Sequence, residues 1–481
     1  MSPALLLAVV LTYFALLLGV AFLASRGADN ESFFVGNRNS HWMLVAFGMI
    51  GTSLSGVTFI SVPGQVGAAA FSYLQIALGQ FIGYVAIAFV LLPLFYRMQL
   101  RSIYGFLGER LGPRAYRTAA GIFVVSRTLG ATARLYLVIK ILEDLTLARL
   151  GLPFWLSALV ILALILAYTF EGGVKTIVWT DTLQTAGMLL GLVVCVAYLL
   201  QGLNLDLGSA WARLDAEGLS RVFVTDPMSR SFWGKQLLAG LFISVAMTGL
   251  DQEMMQKNIS VRRLADSQKN VLALSLVMLG VVGLFLFLGG LLQLQALHSG
   301  MPERGDELFP AVVLGHLPGW VQIVFVIALI SALFPSADGA LTALTSSTCI
   351  DLLRIDRPGW SEGQRTRVRR RVHLGFAALF FVCVMGFRAL GDPSMIGLIL
   401  RLAGYTYGPL LGLFAFGMFT RRRPRDSWVP AVALAAPLLC WLVDSHQTAW
   451  FGGYRIGLEL LLLNGALTFA GLWLASAKLT R

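Results

Sequence analysis

Long apolar runs, each about as long as a bilayer is thick, govern what this chain can fold into. Leu5 to Ala24 and Phe81 to Tyr96 are two of them. Wound as helix, roughly 20 residues cross the ~30 Å hydrocarbon core. A spanning segment must satisfy its own backbone hydrogen bonds, which leaves helices or a closed barrel. A barrel would show short alternating segments instead. The expected fold class is therefore an all-α polytopic membrane protein. Composition agrees: 57% of the 481 residues are hydrophobic and only 13% are charged, too few charges to cover a water-soluble surface. The first run has no basic region before it and no clear cleavage site after it, so it reads as a spanning helix, not a signal peptide.

About thirteen segments are long enough to cross. They lie near residues 3–24, 41–70, 72–98, 118–143, 152–170, 176–200, 233–250, 268–295, 318–350, 372–390, 394–419, 428–444 and 456–477. Loop charge orients them. One alternate set of connections carries Arg26 and Arg38, then Arg97 to Arg117, then Lys257, Arg262, Arg263 and Lys269. Arg354, Arg357 and the cluster Arg365–Arg371 follow, then Arg421 to Arg425. The other set, such as 201–232 and 296–317, is poor in net positive charge. Positive loops stay cytoplasmic. The expectation is a multi-pass protein of the cell (inner) membrane, with the N-terminus outside and the C-terminus in the cytoplasm. The net charge of +12 then belongs to the membrane surface, and nucleic acid is not an expected partner. Cys195, Cys349, Cys383 and Cys440 lie in or beside apolar runs without CxxC spacing, so neither zinc nor a disulfide framework is indicated.

Some segments are not plain lipid-facing helix. Gly48 to Thr58 crowds Gly, Ser and Thr into mid-membrane depth, with Pro63 and Gly64 after it. Such a stretch is either a small-residue packing seam or an unwound segment whose free carbonyls face a cavity. Arg127 and Arg134 lie in the fourth segment, Asp181 near the start of the sixth, Asp338 in the middle of the ninth and Arg401 in the eleventh. Each is costly in lipid unless it faces protein or water. Asp181, near the inner interface, also reads as a structural ion pair or a snorkelling side chain. Asp338, among Ser336, Thr342 and Thr345, offers hard oxygens that suit Na⁺ or a proton relay. Pro335 frees a carbonyl about one turn earlier, and Ala332 and Ser336 share a face. That is half of a cation site, or else a kink filled by a serine back-bond.

At these residues the chain resembles the sodium:solute symporter family of sugar, proline, sialate, iodide and vitamin carriers. The resemblance rests on Thr52 to Phe59 with Pro63-Gly64, on Gly172 to Lys175 leading into Trp179-Thr180-Asp181-Thr182-Leu183-Gln184, and on Pro335 to Leu341 with Cys349-Ile350-Asp351. Asp251-Gln252 with Gln256-Lys257 looks like the family's inner-loop motif. The resemblance implies a LeuT-type core of two inverted five-helix repeats. These fall at 40–200 and 233–419, with one extra helix before (3–24) and two after (428–477). It implies Na⁺ as coupling ion, held by Gly51 and Leu54 with Ala332, Pro335 and Ser336. Pro335 stands where many members have a hydroxyl. Asp181 corresponds to an acid that serves a second sodium site in some members, whose serines fall here at about Asp338 and Gly339. It also implies a midplane substrate site beside the broken stretch, with Ser55 and Thr58 facing it and Gln75, Gln80, Arg127 and Arg134 as further polar contacts.

The function that follows is sodium-coupled import of a small polar solute across the lipid bilayer by alternating access. A buried arginine prefers a carboxylate, which points to an organic acid or carboxylate-bearing sugar. A neutral sugar, polyol or amino acid, or proton coupling through Asp338, are the alternatives. A membrane enzyme would need an acid–base cluster at the interface, and no His/Asp or His/Glu cluster occurs. A channel would want rings of charge or repeated pore motifs. No Walker lysine motif is present.

Overall fold

The computed structural model of the protein describes residues 3–25, 33–34, 40–100, 102–143, 151–170, 173–390, 395–452 and 454–477. Gly172 of the second motif, and Arg26, Arg38 and Arg101 of the charge pattern, lie outside these residues.

The chain is a helical membrane protein. In chain order the main helices are α1 (Pro3–Ser25), α2 (Trp42–Gly64), α3 (Tyr73–Arg97), α4 (Pro113–Leu142), α5 (Phe154–Thr169), α6 (Gly173–Gly202) and α7 (Trp233–Ser244). Then come α8 (Gln252–Ile259), α9 (Leu264–Ser299), α10 (Gly319–Ser347), α11 (Glu362–Leu390), α12 (Met395–Phe419), α13 (Val429–Phe451) and α14 (Leu460–Leu474). Among the described residues, 10 helices are long and apolar enough to cross a membrane, while Phe154–Thr169 and Leu460–Leu474 are shorter apolar helices. The seventh expected segment is a broken pair. Helix α7 runs through a π turn, Val245–Gly249, and stops at Leu250. The chain restarts as α8, capped by the Asp251 carboxylate, which accepts the N–H groups of Glu253 and Met254. The arginine cluster expected in a loop sits instead on the first turns of α11. Arg369 is buried there, its guanidinium 4.4 Å from the Phe33 ring centroid.

The helices pair reciprocally. Helix α2 packs on α9 and α3 on α7, while α4 packs on α12 and α6 on α10. If α2–α6 form one half and α7–α12 the other, with α7 and α8 as one broken helix, first pairs with second and third with fifth in both directions. That is what two inverted five-helix repeats produce. Small residues let backbones approach at these seams. A Cβ added at Gly187 or Gly191 of α6 would strike Ser331 or Ala328 of α10, and one at Gly79 or Gly83 of α3 would strike the backbone of α7. Helix α1 docks on the same α6–α10 pair: Tyr13 Oη lies 2.6 Å from Ser331 Oγ, and Phe14 meets Phe334 edge-on. A two-residue antiparallel ladder, Arg423–Pro424 with Ser476–Ala477, ties the connection after α12 to the end of α14.

Ten of the eleven tryptophans are exposed, as are Leu190, Val193, Leu434 and Leu438. Water cannot solvate so much aromatic and aliphatic surface favourably, whereas a bilayer and its interfaces can.

Candidate functional site

Two helix breaks frame the centre of the molecule. The first is at Ser55, whose φ of 42° and ψ of 163° interrupt α2. A non-glycine residue there is strained, and the break falls inside the run of Gly, Ser and Thr read from the sequence. The second is the π turn and the Leu250–Asp251 step between α7 and α8. Between them lies a cavity of about 90 Å³, room for several waters or a small solute. Helix α2 contributes Thr52 to Ser55 and Thr58. Helix α3 contributes Tyr73, Gln80 and Tyr84, α4 contributes Arg127 and Arg134, and the second break contributes Ser244, Met247 and Thr248. Met278, Val282, Ile396 and Ile399 complete an apolar wall.

Of the expected substrate contacts, Ser55, Thr58, Gln80, Arg127 and Arg134 line this cavity and Gln75 does not. The Gln75 amide is used elsewhere: Nε2 donates to the carbonyls of Ser72 and Ser231, and Oε1 accepts the Val224 N–H. It pins the connection before α7. The two arginines, two helical turns apart on one face of α4, differ. Arg127 is buried, pairs with Glu253 and lies 3.9 Å from Asp251. Arg134 is half-buried and has no ion pair or hydrogen-bond partner among the described residues.

The expected cation residues fall in two groups. Gly51 of α2 abuts α6 and α10: its N–H donates to Thr185 Oγ1 at 3.1 Å, and a Cβ there would lie 3.5 Å from the Pro335 ring. Leu54 lies in the same helix just before the break, and Ala332 and Ser336 are buried on α10. Pro335 does not break α10, which stays helical from Gly319 to Ser347. The second group is Asp181 and Asp338. Asp181 Oδ2 accepts from Lys257 Nζ at 2.7 Å and from Thr52 Oγ1 at 3.2 Å. Asp338 accepts from Tyr168 Oη at 2.8 Å and from the Gly339 N–H at 2.5 Å, and among the described residues it makes no ion pair. Arg401 is exposed near the start of α12 and lines a separate cavity of about 350 Å³ with Arg230 and Asp444.

Sequence comparisons identify the family of the chain. The chain matches the sodium:solute symporter family over residues 33–426. It belongs to that family. Among its relatives in the sodium:solute symporter family is the human sodium/iodide cotransporter, 28% identical over 433 residues, which cover 86% of this chain and 64% of the relative. The chain thus spans less than two thirds of that protein's length. The sodium/sialic acid symporter NanT of Aliivibrio fischeri is 24% identical over 465 residues, 94% of this chain and 89% of the relative. A solved Na⁺-coupled sialic acid symporter in a substrate-bound outward-open state superposes with a TM-score of 0.82 at 17% identity, covering 98% of this chain and 99% of that one. The LeuT-type fold is therefore the fold of this chain.

Sequence reasoning missed the residues that α8 buries. All eight are inside the protein, and they carry Glu253 and Lys257 four apart, so on one face of the helix. The Asp251-Gln252…Gln256-Lys257 motif is visible in the sequence but reads as a loop, because eight mostly polar residues give no spanning signal. Helix α8 is held by Tyr407 Oη on Asp251 (2.7 Å), by Tyr104 Oη on the Leu250 carbonyl (3.1 Å) and by Gln252 Oε1, which accepts the Ile103 N–H.

Proposed function

We propose that the protein is a sodium-coupled symporter that imports a small organic anion by alternating access. The single observation that carries the anion is Arg134. Among the described residues it reaches the central cavity with no carboxylate at ion-pair distance, while Arg127, two turns away, is already compensated by Glu253 and Asp251. A lone guanidinium in a low-dielectric cavity is best neutralised by a bidentate carboxylate. Iodide and sialic acid, named for two relatives, are both anions. Ser55, Thr58 and Gln80 would bind the rest of the solute. Sodium would sit where the carbonyls of Gly51 and Leu54 approach Ala332, Pro335 and Ser336, beside the first break. Residues 40–200 and 233–419 would be the two repeats that move relative to one another. The arginine-rich ends would face the cytoplasm of a cell whose inner membrane holds the protein, with the N-terminus outside.

A second reading, proton coupling, rests on Asp338: a buried carboxylate with a tyrosine hydroxyl on it and no cation at ion-pair distance among the described residues. Uptake in proteoliposomes separates the two. An inward Na⁺ gradient should drive accumulation of a small carboxylic or sialic-type acid, and K⁺ should not replace it. Equal uptake in Na⁺ and K⁺ that follows a pH gradient would favour Asp338. Arg134→Gln should raise the KM for the acid about ten- to hundredfold, the value of one charge-assisted contact. A neutral sugar transported equally well by both forms would remove the anion assignment.

A further inference from the structure

Lys257 is the least expected charge in the molecule. Its ammonium is buried where three helices meet, 2.7 Å from Asp181 Oδ2 on α6, 2.7 Å from Thr52 Oγ1 on α2 and 3.5 Å from Glu253 Oε1 on its own α8. Helix α10 closes the remaining side with a residue that has no side chain. A Cβ on Gly339 would lie 3.2 Å from Lys257 Nζ and would collide with Glu253. These oxygens are hard donors of the kind a monovalent cation takes, and a lysine tip has taken them. The other Asp181 oxygen, Oδ1, is buried and has no partner among the described residues, so the carboxylate retains unused donor capacity at this point.

We infer that Lys257 is a tethered cation filling the place beside Asp181 that a mobile coupling ion would otherwise occupy, so that this chain binds one Na⁺ and not two. The inference rests on the sodium reading above for the one remaining ion, at Gly51, Leu54, Ala332 and Ser336. The physical reason is exclusion. An ammonium and a Na⁺ cannot share the same carboxylate oxygen and hydroxyl, because each needs the same lone pairs and the two charges repel. A tethered charge also cannot be released to the far side. Lys257 therefore neutralises the charge of Asp181 in every state in which α8 stays docked, and contributes nothing to the ion gradient that drives the solute. Removing the amine leaves Asp181, Thr52 and Glu253 around a space of about the right chemistry for a second Na⁺.

The test counts ions. Equilibrium binding of ²²Na⁺ to the purified full-length protein should give one Na⁺ per chain. Lys257→Ala should give two, and Lys257→Ala combined with Asp181→Asn should return to one. A Lys257→Ala protein that folds and still binds the wild-type number overturns the inference. If Lys257→Ala does not fold, the native protein decides. One Na⁺, retained in Asp181→Asn, supports the tethered cation; two, with one lost in Asp181→Asn, overturns it. The sodium reading fails separately. If the wild-type chain binds no Na⁺, that reading is lost, yet a Na⁺ gained by Lys257→Ala would still show that the lysine occupies a cation site.

Discussion

The two helix breaks face one cavity but are built from opposite materials. The break in α2 is made of Gly, Ser and Thr, bears no ionisable side chain from Gly48 to Thr58, and turns on one strained serine. The break between α7 and α8 is made of a π turn and then Asp251, Glu253 and Lys257, all buried and all paired. The uncharged break lines the cavity with Thr52, Ser53, Ser55 and Thr58. The charged break spends its groups on the protein itself, locking α8 to α2, α4, α6 and α12. The two breaks thus differ in chemistry: one presents hydroxyls to the cavity and the other ties α8 to its neighbours.

The largest effect should come from unpairing the charged break. Arg127→Met leaves Glu253 and Asp251 buried without their guanidinium, and breaking a buried pair costs about 3–5 kcal/mol. The thermal midpoint in detergent should drop sharply, and Arg127→Met with Glu253→Gln should recover part of the loss. A single variant as stable as wild type would mean that the pair does not hold α8.

At the uncharged break the effects should appear in binding, with little loss of stability. Ser336→Ala removes the remaining side-chain oxygen of the proposed sodium site, worth roughly ten- to hundredfold in Na⁺ affinity. Because linkage is reciprocal, solute affinity should fall at low Na⁺ and recover at high Na⁺. A Na⁺ titration of solute binding reads this. An unchanged half-saturation would move the ion elsewhere and leave Ser336 as the filler of a proline kink.

Smaller still is Ser55→Gly. It relieves a positive φ, worth about 1 kcal/mol, while deleting a hydroxyl from the cavity. Thermal stability should rise slightly and solute affinity should fall. If stability fell instead, the Ser55 side chain would be holding the break. The smallest change in solute affinity is expected for Gln75→Ala, because its buried amide does not line the cavity. That residue fastens the connection at Val224 and Ser231, so limited proteolysis of residues 217–232 should accelerate while binding holds.

Much of this was legible in the sequence. The apolar runs located the spanning segments, because lipid tolerates no unsatisfied backbone and so imposes length and composition residue by residue. The Gly/Ser/Thr run marked the first break for the same reason: weak helix formers at mid-depth are affordable only where they face a cavity. Asp338 and Asp181 were visible as charges where none should be.

What tertiary structure alone decided is who partners whom. Arg127 and Arg134 look alike in sequence, seven residues apart in one helix, yet only Arg127 meets Glu253 and Asp251, because α8 docks against its turn and not against the next. Lys257 reads as one more positive loop residue until folding brings α2, α6 and α8 together and places its amine on Asp181. Gln75 and Gln80 differ only by which side of α3 they occupy. Periodicity and hydropathy are properties of one segment against a uniform solvent, so a sequence displays them directly. A charge pair depends on the distance between segments far apart in the chain, and that distance does not exist until the helices have packed.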